Sequence, residues 1–259
     1  MKRFVGNSDL VMITLDTLRY DVAEEAWKAG ELPFLSPLLG PTGWQKRHTP
    51  ASFTYAAHHA FMAGFLPTPL GPGPHPRLFA AEFSGSTSTT DQTFTFSQAT
   101  LPEALASIGY HTACVGGTGF FNQTNALSRV LPSLFAEAHW RPELGVTDRR
   151  SERHQVAQAL ECLGRPERTF LFMNVSALHQ PNWFYGDAAS GPDTLTSHRA
   201  ALTAVDRALA PLWEALRARG SAFVMIFSDH GTAYGEDGYT GHRLGHEVVW
   251  TVPYAEFEL

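Results

Sequence analysis

The stretch Phe223-Val-Met-Ile-Phe-Ser-Asp-His-Gly231 decides the fold, because an apolar run ends there in a carboxylate and an imidazole. Such a run is typical of a strand that is buried on both faces of a parallel sheet. Another apolar run, at residues 10–15, also ends in a carboxylate, Asp16. If both strands lie side by side, we expect Asp16, Asp229 and His230 to converge beyond the carboxyl edge of the sheet.

Two further apolar runs, at residues 111–115 and 169–175, predict two more buried strands. Helical patterns alternate with the strands at residues 101–108, 151–163 and 198–219, and Pro211 is expected to kink or split the last helix. The alternation predicts an α/β fold in which helices sandwich a mostly parallel sheet. We expect one catalytic domain over residues 1–259.

The composition of the chain limits which binding partners and which cellular compartment are expected. The chain has 259 residues and a net charge of −6 with no basic block, which argues against nucleic acid. No run approaches the roughly 18 to 20 apolar residues that a membrane span needs. The N-terminus resembles a signal sequence, but Asp9 and Asp16 interrupt the run that follows, so we interpret it as the first strand. These features predict a cytoplasmic protein with Cys114 and Cys162 as free thiols.

Two polar segments that contain Gly and Pro, residues 67–98 and 181–197, interrupt the alternation of strands and helices. Loops of this length in compact domains are often functional, so we predict that both border the active site. We expect the aromatic residues Trp183, Phe184 and Tyr185 to shape its pocket.

A hydroxyl and several imidazoles add to the predicted carboxylate–imidazole site. Thr54 lies near the start of a helix predicted at residues 56–63, where it is either an N-cap or a nucleophile. His58 lies one helical turn further on and could face an anionic substrate. His179 is a loop residue or a ligand, and His242 and His246 lie between glycines in a second cluster that suits metal ligation.

Six motifs follow one another along the chain. They are the first strand with Asp16, the segment 54–67 in register with C-x-P-S-R…T-G-x-x-P, the strand entry at 105–116, His179-Gln-Pro181, Ser228-Asp-His-Gly231, and the closing segment 242–253. In this order they resemble the alkaline phosphatase superfamily, on its sulfatase-like branch. The resemblance covers nearly the whole chain and implies an alkaline-phosphatase-like core without the C-terminal subdomain of many sulfatases.

The departures from the sulfatase pattern indicate the chemistry. Thr54 stands where these sulfatases carry the Cys or Ser that becomes formylglycine, His58 replaces the Arg, and His242 holds the place of the closing Lys. Threonine cannot be converted to formylglycine. Threonine nucleophiles do occur in phosphodiesterase and phosphoethanolamine-transferase relatives. The resemblance therefore implies a metal-dependent hydrolase or transferase that acts on a phosphate ester, either a diester or a monoester, through Thr54.

The resemblance also implies that the protein binds one or two divalent metal ions. The expected ligands are two carboxylates, three imidazoles and one hydroxyl: Asp16, Thr54, Asp229, His230, His242 and His246. Carboxylate with imidazole favours Zn²⁺ or Mn²⁺ over Mg²⁺, Fe or Ca²⁺. His242, with His179 or His246, would hold a second ion. If only one ion binds, these imidazoles become phosphate donors or the general acid, and His58 supplies part of the charge of the missing Arg.

Rival functions remain open at this point. One is a sulfatase-like or phosphomutase-like metal hydrolase without a covalent threonine step, and the other is a non-catalytic metal-binding relative. In either enzymatic case the expected substrate is a small anionic ester, with no nucleic-acid or membrane partner, and the chain could form a homodimer.

Overall fold

The computed structural model describes residues 3–64, 100–186 and 190–259, together with the backbone of residues 79–80 and 94–95. Most of the predicted active-site loop 67–98 therefore lies outside the described residues. In the described part, the strands in chain order are β1 (Asp9–Leu15), β2 (Gln45–His48), β3 (Phe79–Ala80), β4 (Phe94–Thr95), β5 (His111–Val115), β6 (Glu137–His139), β7 (Thr169–Val175), β8 (Ala222–Phe227), β9 (Ala233–Tyr234), β10 (Thr240–Gly241) and β11 (Thr251–Glu258).

Seven of these strands form one sheet in the order β2-β11-β8-β1-β7-β5-β6. The five strands from β8 to β6 are parallel, whereas β11 pairs antiparallel with both β8 and β2. The predicted mostly parallel α/β sheet is confirmed. The four predicted strands coincide with β1, β5, β7 and β8. In the pairing register, Leu10 of β1 lies opposite Phe223 of β8 on one side and Phe170 of β7 on the other.

The helices cover both faces of the sheet. In the described residues they are α1 (Tyr20–Lys28), α2 (Ser36–Leu39), α3 (Thr54–Ala63), α4 (Leu101–Ser107), α5 (Ala126–Arg129), α6 (Ser151–Leu163), α7 (Leu195–Arg219) and α8 (Glu247–Trp250). The predicted helices are confirmed as α3, α4, α6 and α7, with small shifts at their ends. Pro211 does not split α7, a helix of 25 residues that continues past it to Arg219.

The sheet divides the core into two apolar layers, because successive strand residues point to opposite faces. Ile13, Val224 and Leu171 pack on one face with α1, α6 and α7. Met12, Phe172 and Met225 pack on the other face, with Met62 of α3. The sheet is thus buried on both sides, which leaves the carboxyl ends of its strands as the place where polar side chains collect.

Candidate metal centre

Three predicted ligands meet where β1 and β8 end. The two strands are parallel neighbours, so Asp16 and Asp229 leave the sheet side by side. Gly231 lets this turn close, since a Cβ on it would lie 1.9 Å from the carbonyl oxygen of Val248. Asp16, Asp229 and His230 are each fully buried.

The donor atoms are close enough to share one ion. His230 Nε2 lies 3.5 Å from Asp229 Oδ2 and 4.0 Å from Asp16 Oδ1. Each of these residues offers a ligand atom within 4.8 Å of the others. Two oxygen or nitrogen ligands of the same Zn²⁺ lie at most about 4.2 Å apart, so both measured distances fit a shared ion without rearrangement of the backbone.

The two carboxylates carry buried oxygen atoms that nothing else satisfies. Asp16 Oδ1 and Asp229 Oδ2 have no hydrogen-bond partner among the described residues. Burial, reinforced by the charge of Asp229, raises the pKa of Asp16 to about 6. Burial also raises the pKa of Asp229 to about 7, although the backbone N–H groups of Thr17 and His230 donate to it. Unpaired buried carboxylates are costly, and a divalent cation between them would remove the cost.

The tautomer of His230 is the one that a metal-binding histidine needs. Its Nδ1 lies 2.9 Å from the carbonyl oxygen of Gly231, which can only accept, so Nδ1 carries the proton and Nε2 presents its lone pair. Burial lowers the pKa of His230, which keeps the ring neutral despite the nearby carboxylates. A neutral imidazole held in this way by its other nitrogen is the usual form of a histidine ligand.

Thr54 directs its hydroxyl into the same cluster. It is the first residue of α3, and Phe53 occupies the N-cap position, so Thr54 is not the N-cap residue. Thr54 Oγ1 lies 3.2 Å from His230 Nε2 and 3.4 Å from Asp16 Oδ2, both of which are acceptors. The side chain is 2% exposed. Thr54 thus lies at the side of the cluster that opens towards the cavity described below.

Residues outside the sequence-based prediction hold the carboxylates in place. Asn174 donates to Asp16 Oδ2 at 2.9 Å from the neighbouring strand β7. Thr17, in a left-handed conformation with φ of 67°, aims its N–H at Asp229 Oδ1 over 3.2 Å. A β-branched residue adopts this conformation only under strain, which the surrounding contacts must support. The available signal for Asn174 was a polar residue near the end of an otherwise apolar strand.

The structure does not support the role expected of His58. Its ring is fully buried beneath the cluster, where Nδ1 donates to the carbonyl oxygen of Thr54 over 2.7 Å and Nε2 lies 3.0 Å from Thr14 Oγ1. Burial lowers the pKa of His58 to about 3, so the ring is neutral. A neutral ring with both nitrogens occupied cannot replace the charge of a sulfatase Arg; His58 instead packs the first turn of α3 against β1.

His246 also lies away from the cluster. Its Nδ1 accepts from the backbone N–H of Val248 at 3.2 Å and caps α8, while Nε2 lies 3.2 Å from the exposed Asp237. The structure therefore does not bring His246 to the cluster of Asp16, Asp229 and His230. The Gly-His pattern carries no information about which ring faces the cluster, and here that ring is the one of His242.

A cavity of about 610 Å³ opens in front of Thr54. His179 and His242 line it, with ring centroids 5.6 Å apart, and the His242 ring lies 4.6 Å from that of His230. Arg243, which the sequence-based prediction missed, brings a positive charge to the same wall. A pocket with imidazoles and a guanidinium next to a buried hydroxyl suits a small anion.

The second predicted loop contributes less than expected. His179 and Gln180, just before residues 181–197, line the cavity. The aromatic side chains face elsewhere: Tyr185 donates to Glu152 at 2.7 Å, and the Arg149 guanidinium lies 5.0 Å from the centre of the Trp183 ring. Among the described lining residues, none comes from Trp183–Tyr185.

A mostly parallel sheet with a buried carboxylate–imidazole cluster and a hydroxyl at a helix start fits the sulfatase-like branch of the alkaline phosphatase superfamily. A sequence model of the sulfatase family matches residues 9–254. The chain therefore belongs to the sulfatase family. No curated protein matches the sequence.

Solved structures share the fold at low identity. The C-terminal periplasmic domain of phosphoethanolamine transferase EptC from Campylobacter jejuni has a TM-score of 0.65 and 12% identity, over 97% of this chain and 79% of that chain. The C-terminal periplasmic domain of EcEptC from Escherichia coli, in complex with Zn, has a TM-score of 0.62 and 16% identity, over 98% of this chain and 74% of that chain. The lipoteichoic acid synthase LtaP from Listeria monocytogenes has a TM-score of 0.61 and 13% identity, over 98% and 66%.

These comparisons correct the predicted compartment. The expectation of a cytoplasmic location is contradicted, because the similar EptC structures are periplasmic domains. That expectation relied on charged residues in the first apolar run, which β1 explains without any reference to compartment. Among the residues that the structure describes, no helix combines the length and the apolar character needed to cross a bilayer.

Proposed function

We propose that the protein is a metal-dependent enzyme that hydrolyses or transfers a phosphate ester, with Thr54 as its nucleophile. One observation carries the proposal: two buried carboxylate oxygens that have no partner in the described part of the chain lie beside a histidine lone pair and the Thr54 hydroxyl. Asp16, Asp229 and His230 would hold the ion, and Thr54 would complete its shell. A donor set of carboxylates and imidazole fits Zn²⁺ or Mn²⁺.

The chemistry of Thr54 follows from its surroundings. A bound divalent ion would lower the pKa of the hydroxyl and stabilise negative charge on the transferred group. The start of α3 adds free backbone N–H groups and the positive end of its dipole next to Oγ1. Thr54 would attack phosphorus in line and form a phospho-threonine as the bond from phosphorus to the ester oxygen breaks and the alcohol leaves. Water would then hydrolyse this intermediate, or an acceptor alcohol would take the phosphoryl group.

His179 and His242 take different parts in this proposal. Burial, together with the proximity of His230, lowers the pKa of His242 to about 3, so this ring is neutral and suits a ligand or an acceptor. The Nδ1 atom of His179 donates to the carbonyl oxygen of Gln180, which leaves Nε2 towards the cavity. We therefore assign His179 to the leaving oxygen as general acid, and His242 to a second ion where two ions bind.

Two arguments favour phosphate over sulfate. Thr54 replaces the residue that becomes formylglycine, so the aldehyde hydrate of sulfatase chemistry cannot form. The similar structures include phosphoethanolamine transferases, which favours a phosphate ester and makes transfer to an alcohol as plausible a reaction as hydrolysis.

The test compares Thr54→Val with the wild type after loading with Zn²⁺ or Mn²⁺. Valine keeps the shape of threonine and removes only the hydroxyl, so we expect turnover of p-nitrophenyl phosphate or bis-p-nitrophenyl phosphate to fall about 10³-fold or more. Acid quenching followed by mass spectrometry of the peptides should find phosphate on Thr54 in the wild type. Thr54→Ser should retain part of both signals.

Ser52→Ala is the matched control, because it removes a nearby hydroxyl that makes no contact in the cluster. It should retain the turnover of the wild type. Full turnover in Thr54→Val would exclude Thr54 as nucleophile and favour attack by water. Hydrolysis of p-nitrophenyl sulfate in preference to both phosphates would contradict the assigned substrate class. Bound metal without turnover of any ester would identify a non-catalytic relative.

A further inference from the structure

A different cluster of metal-binding side chains lies at the far edge of the sheet. Glu137 and His139 belong to the edge strand β6, which β5 and β7 separate from β1. Cys162 lies in the last turn of α6, on the same face of the sheet, and His111 begins β5. None of these residues lines the cavity in front of Thr54, so the proposed phosphate-ester chemistry does not account for them.

The donor atoms of Glu137, His139 and Cys162 lie close together, and His111 contacts this group through Glu137. Glu137 Oε1 lies 2.9 Å from His111 Nε2 and 3.6 Å from His139 Nε2. Glu137, His139 and Cys162 each offer a ligand atom within 4.8 Å of the others. These spacings suit ligands of one tetrahedral ion, whose metal–nitrogen and metal–oxygen distances are about 2.0–2.2 Å and whose metal–sulfur distance is about 2.3 Å.

The imidazoles lack the contacts that a purely structural role would provide. The Nε2 atoms of His111 and His139 are buried, and neither has a hydrogen-bond partner among the described residues. The contacts with Glu137 are therefore close without the alignment of a hydrogen bond. Two buried ring nitrogens beside the same carboxylate oxygen form a donor set that a shared cation would satisfy.

An ion-pair network explains only part of this cluster. Arg165 lies 2.9 Å from Glu137 through Oε2, so it neutralises the carboxylate from outside and fixes its orientation. Oε1, the atom between the imidazoles, takes no part in that pair. An outer hydrogen bond of this kind commonly orients a carboxylate ligand. The Cys162 thiol also contacts Glu137, and nitrogen, sulfur and oxygen donors together are those that Zn²⁺ takes in proteins.

We propose that His111, Glu137, His139 and Cys162 bind one zinc-type transition-metal ion, separate from the centre at Thr54. The Cys162 thiol releases its proton to solvent on binding, and the thiolate, two imidazoles and one carboxylate complete the shell. The ion ties the three-residue strand β6 to β5 and to the end of α6. Its role is structural, because all four protein ligands fill a tetrahedral shell and leave no position for a substrate.

Cobalt substitution tests this site selectively. Co²⁺ bound by a thiolate gives a charge-transfer absorption band in the near ultraviolet, and the centre at Thr54 contains no sulfur ligand. The whole protein, stripped of metal with a chelator and kept reduced, is titrated with Co²⁺. We expect the band to saturate at the absorbance of one thiolate-bound Co²⁺ per chain, and added Zn²⁺ to abolish it. Absence of the band in the cobalt-saturated wild type would overturn the proposal, and this measurement needs no variant.

Variants assign the band to its residue. Cys162→Ser should remove the band and lower the zinc content by one ion per chain, and His139→Gln should weaken Zn²⁺ binding at least 10-fold. Cys114→Ser is the matched control: Cys114 is also a buried thiol but packs in the apolar layer on the opposite face, so its variant should keep the band. A band that survives Cys162→Ser would also overturn the proposal. Asp229→Asn should leave the band intact, which separates this site from the proposed catalytic centre.

Discussion

At the scale of single residues, Asp16 and Asp229 are buried next to each other and repel each other in the metal-free protein. Without a cation, the repulsion between the two carboxylates destabilises the folded state. With a cation bound between them, the same two negative charges would supply the affinity for that ion. The same two residues therefore connect metal binding with stability.

Asp229→Asn should raise the stability of the metal-free protein while it abolishes turnover and metal binding at the centre beside Thr54. At pH 8, above the raised pKa values of about 6 and 7, the wild type buries two negative charges and the variant only one. We expect the free energy of unfolding to increase by on the order of 1–3 kcal/mol in chelator, measured by urea denaturation. Added Zn²⁺ should stabilise the wild type more than the variant, which keeps only the separate cluster around Cys162.

Asp206→Asn provides the contrast. Asp206 is also buried, but its two oxygens accept from the backbone N–H groups of Leu35 and Phe34 at 2.7 Å and 3.2 Å. An amide would turn a donor towards one of these N–H groups, so this variant should be less stable and still respond to Zn²⁺. If Asp229→Asn is destabilised as much as Asp206→Asn in chelator, the repulsion between the carboxylates is not the dominant effect.

His198 gives a pH dependence of stability that is independent of the metal ligands. The ring is fully buried and accepts from the Tyr234 hydroxyl at 2.8 Å, which itself accepts from Asn182. Burial, with a contribution from the charge of Arg19, lowers the pKa of His198 to about 3. Its folded-state pKa is thus below the unfolded value near 6.5, so the contribution of His198 to stability is present above 6.5 and is lost as the pH falls towards 3.

The difference in unfolding free energy between the wild type and His198→Gln isolates this group. We expect the difference to be constant from pH 7 to 8. Below about pH 6 it should shift in favour of the variant by about 1.4 kcal/mol per pH unit. Equilibrium urea denaturation at several pH values measures it. A difference that stays constant down to pH 4.5 would show that His198 gains its proton in the folded state as readily as in the unfolded chain.

At the scale of elements, predictions from the sequence succeeded where burial produces a clear pattern. β1, β5, β7 and β8 are apolar runs, and α6 begins and ends at the predicted residues. β2 was missed because its four residues, Gln45–His48, are all exposed at the edge of the sheet and carry no apolar signal. The strand ends also predicted that Asp16, Asp229 and His230 would meet, whereas the orientation of His58 and His246 depends on packing that periodicity does not encode.

We expect Pro211 to destabilise helix α7 locally. Pro211 is exposed inside the helix, where it lacks an N–H and its ring crowds the preceding turn. Because α7 continues through it, the packed face of the helix must offset that cost. Pro211→Ala should raise the free energy of unfolding by about 1–3 kcal/mol, measured by urea denaturation.

Pro102→Ala is the matched control, since Pro102 lies in the first turn of α4, where a missing N–H costs nothing. This variant should gain no stability. Equal stabilisation of both variants would indicate that the substitutions act on the unfolded chain and not on the interior of α7.

At the scale of the whole molecule, the order of the strands creates the site. β1 and β8 are adjacent although more than 200 residues of chain separate them, and α3 brings Thr54 over their ends. The family pattern predicted this assembly from six short motifs, while the support from Asn174 and Thr17 became evident only with the coordinates. The same sheet carries the separate cluster around Cys162 at its other edge, so one scaffold places two groups of side chains that could each hold a metal ion.

The most direct test of the account is a crystal structure of the zinc-loaded protein, with diffraction data recorded on both sides of the zinc absorption edge. We expect an anomalous peak about 2.0–2.2 Å from a carboxylate oxygen of Asp16, a carboxylate oxygen of Asp229 and Nε2 of His230, with the Thr54 hydroxyl beside it. Zinc-loaded crystals with these side chains in place and no peak between them would contradict it.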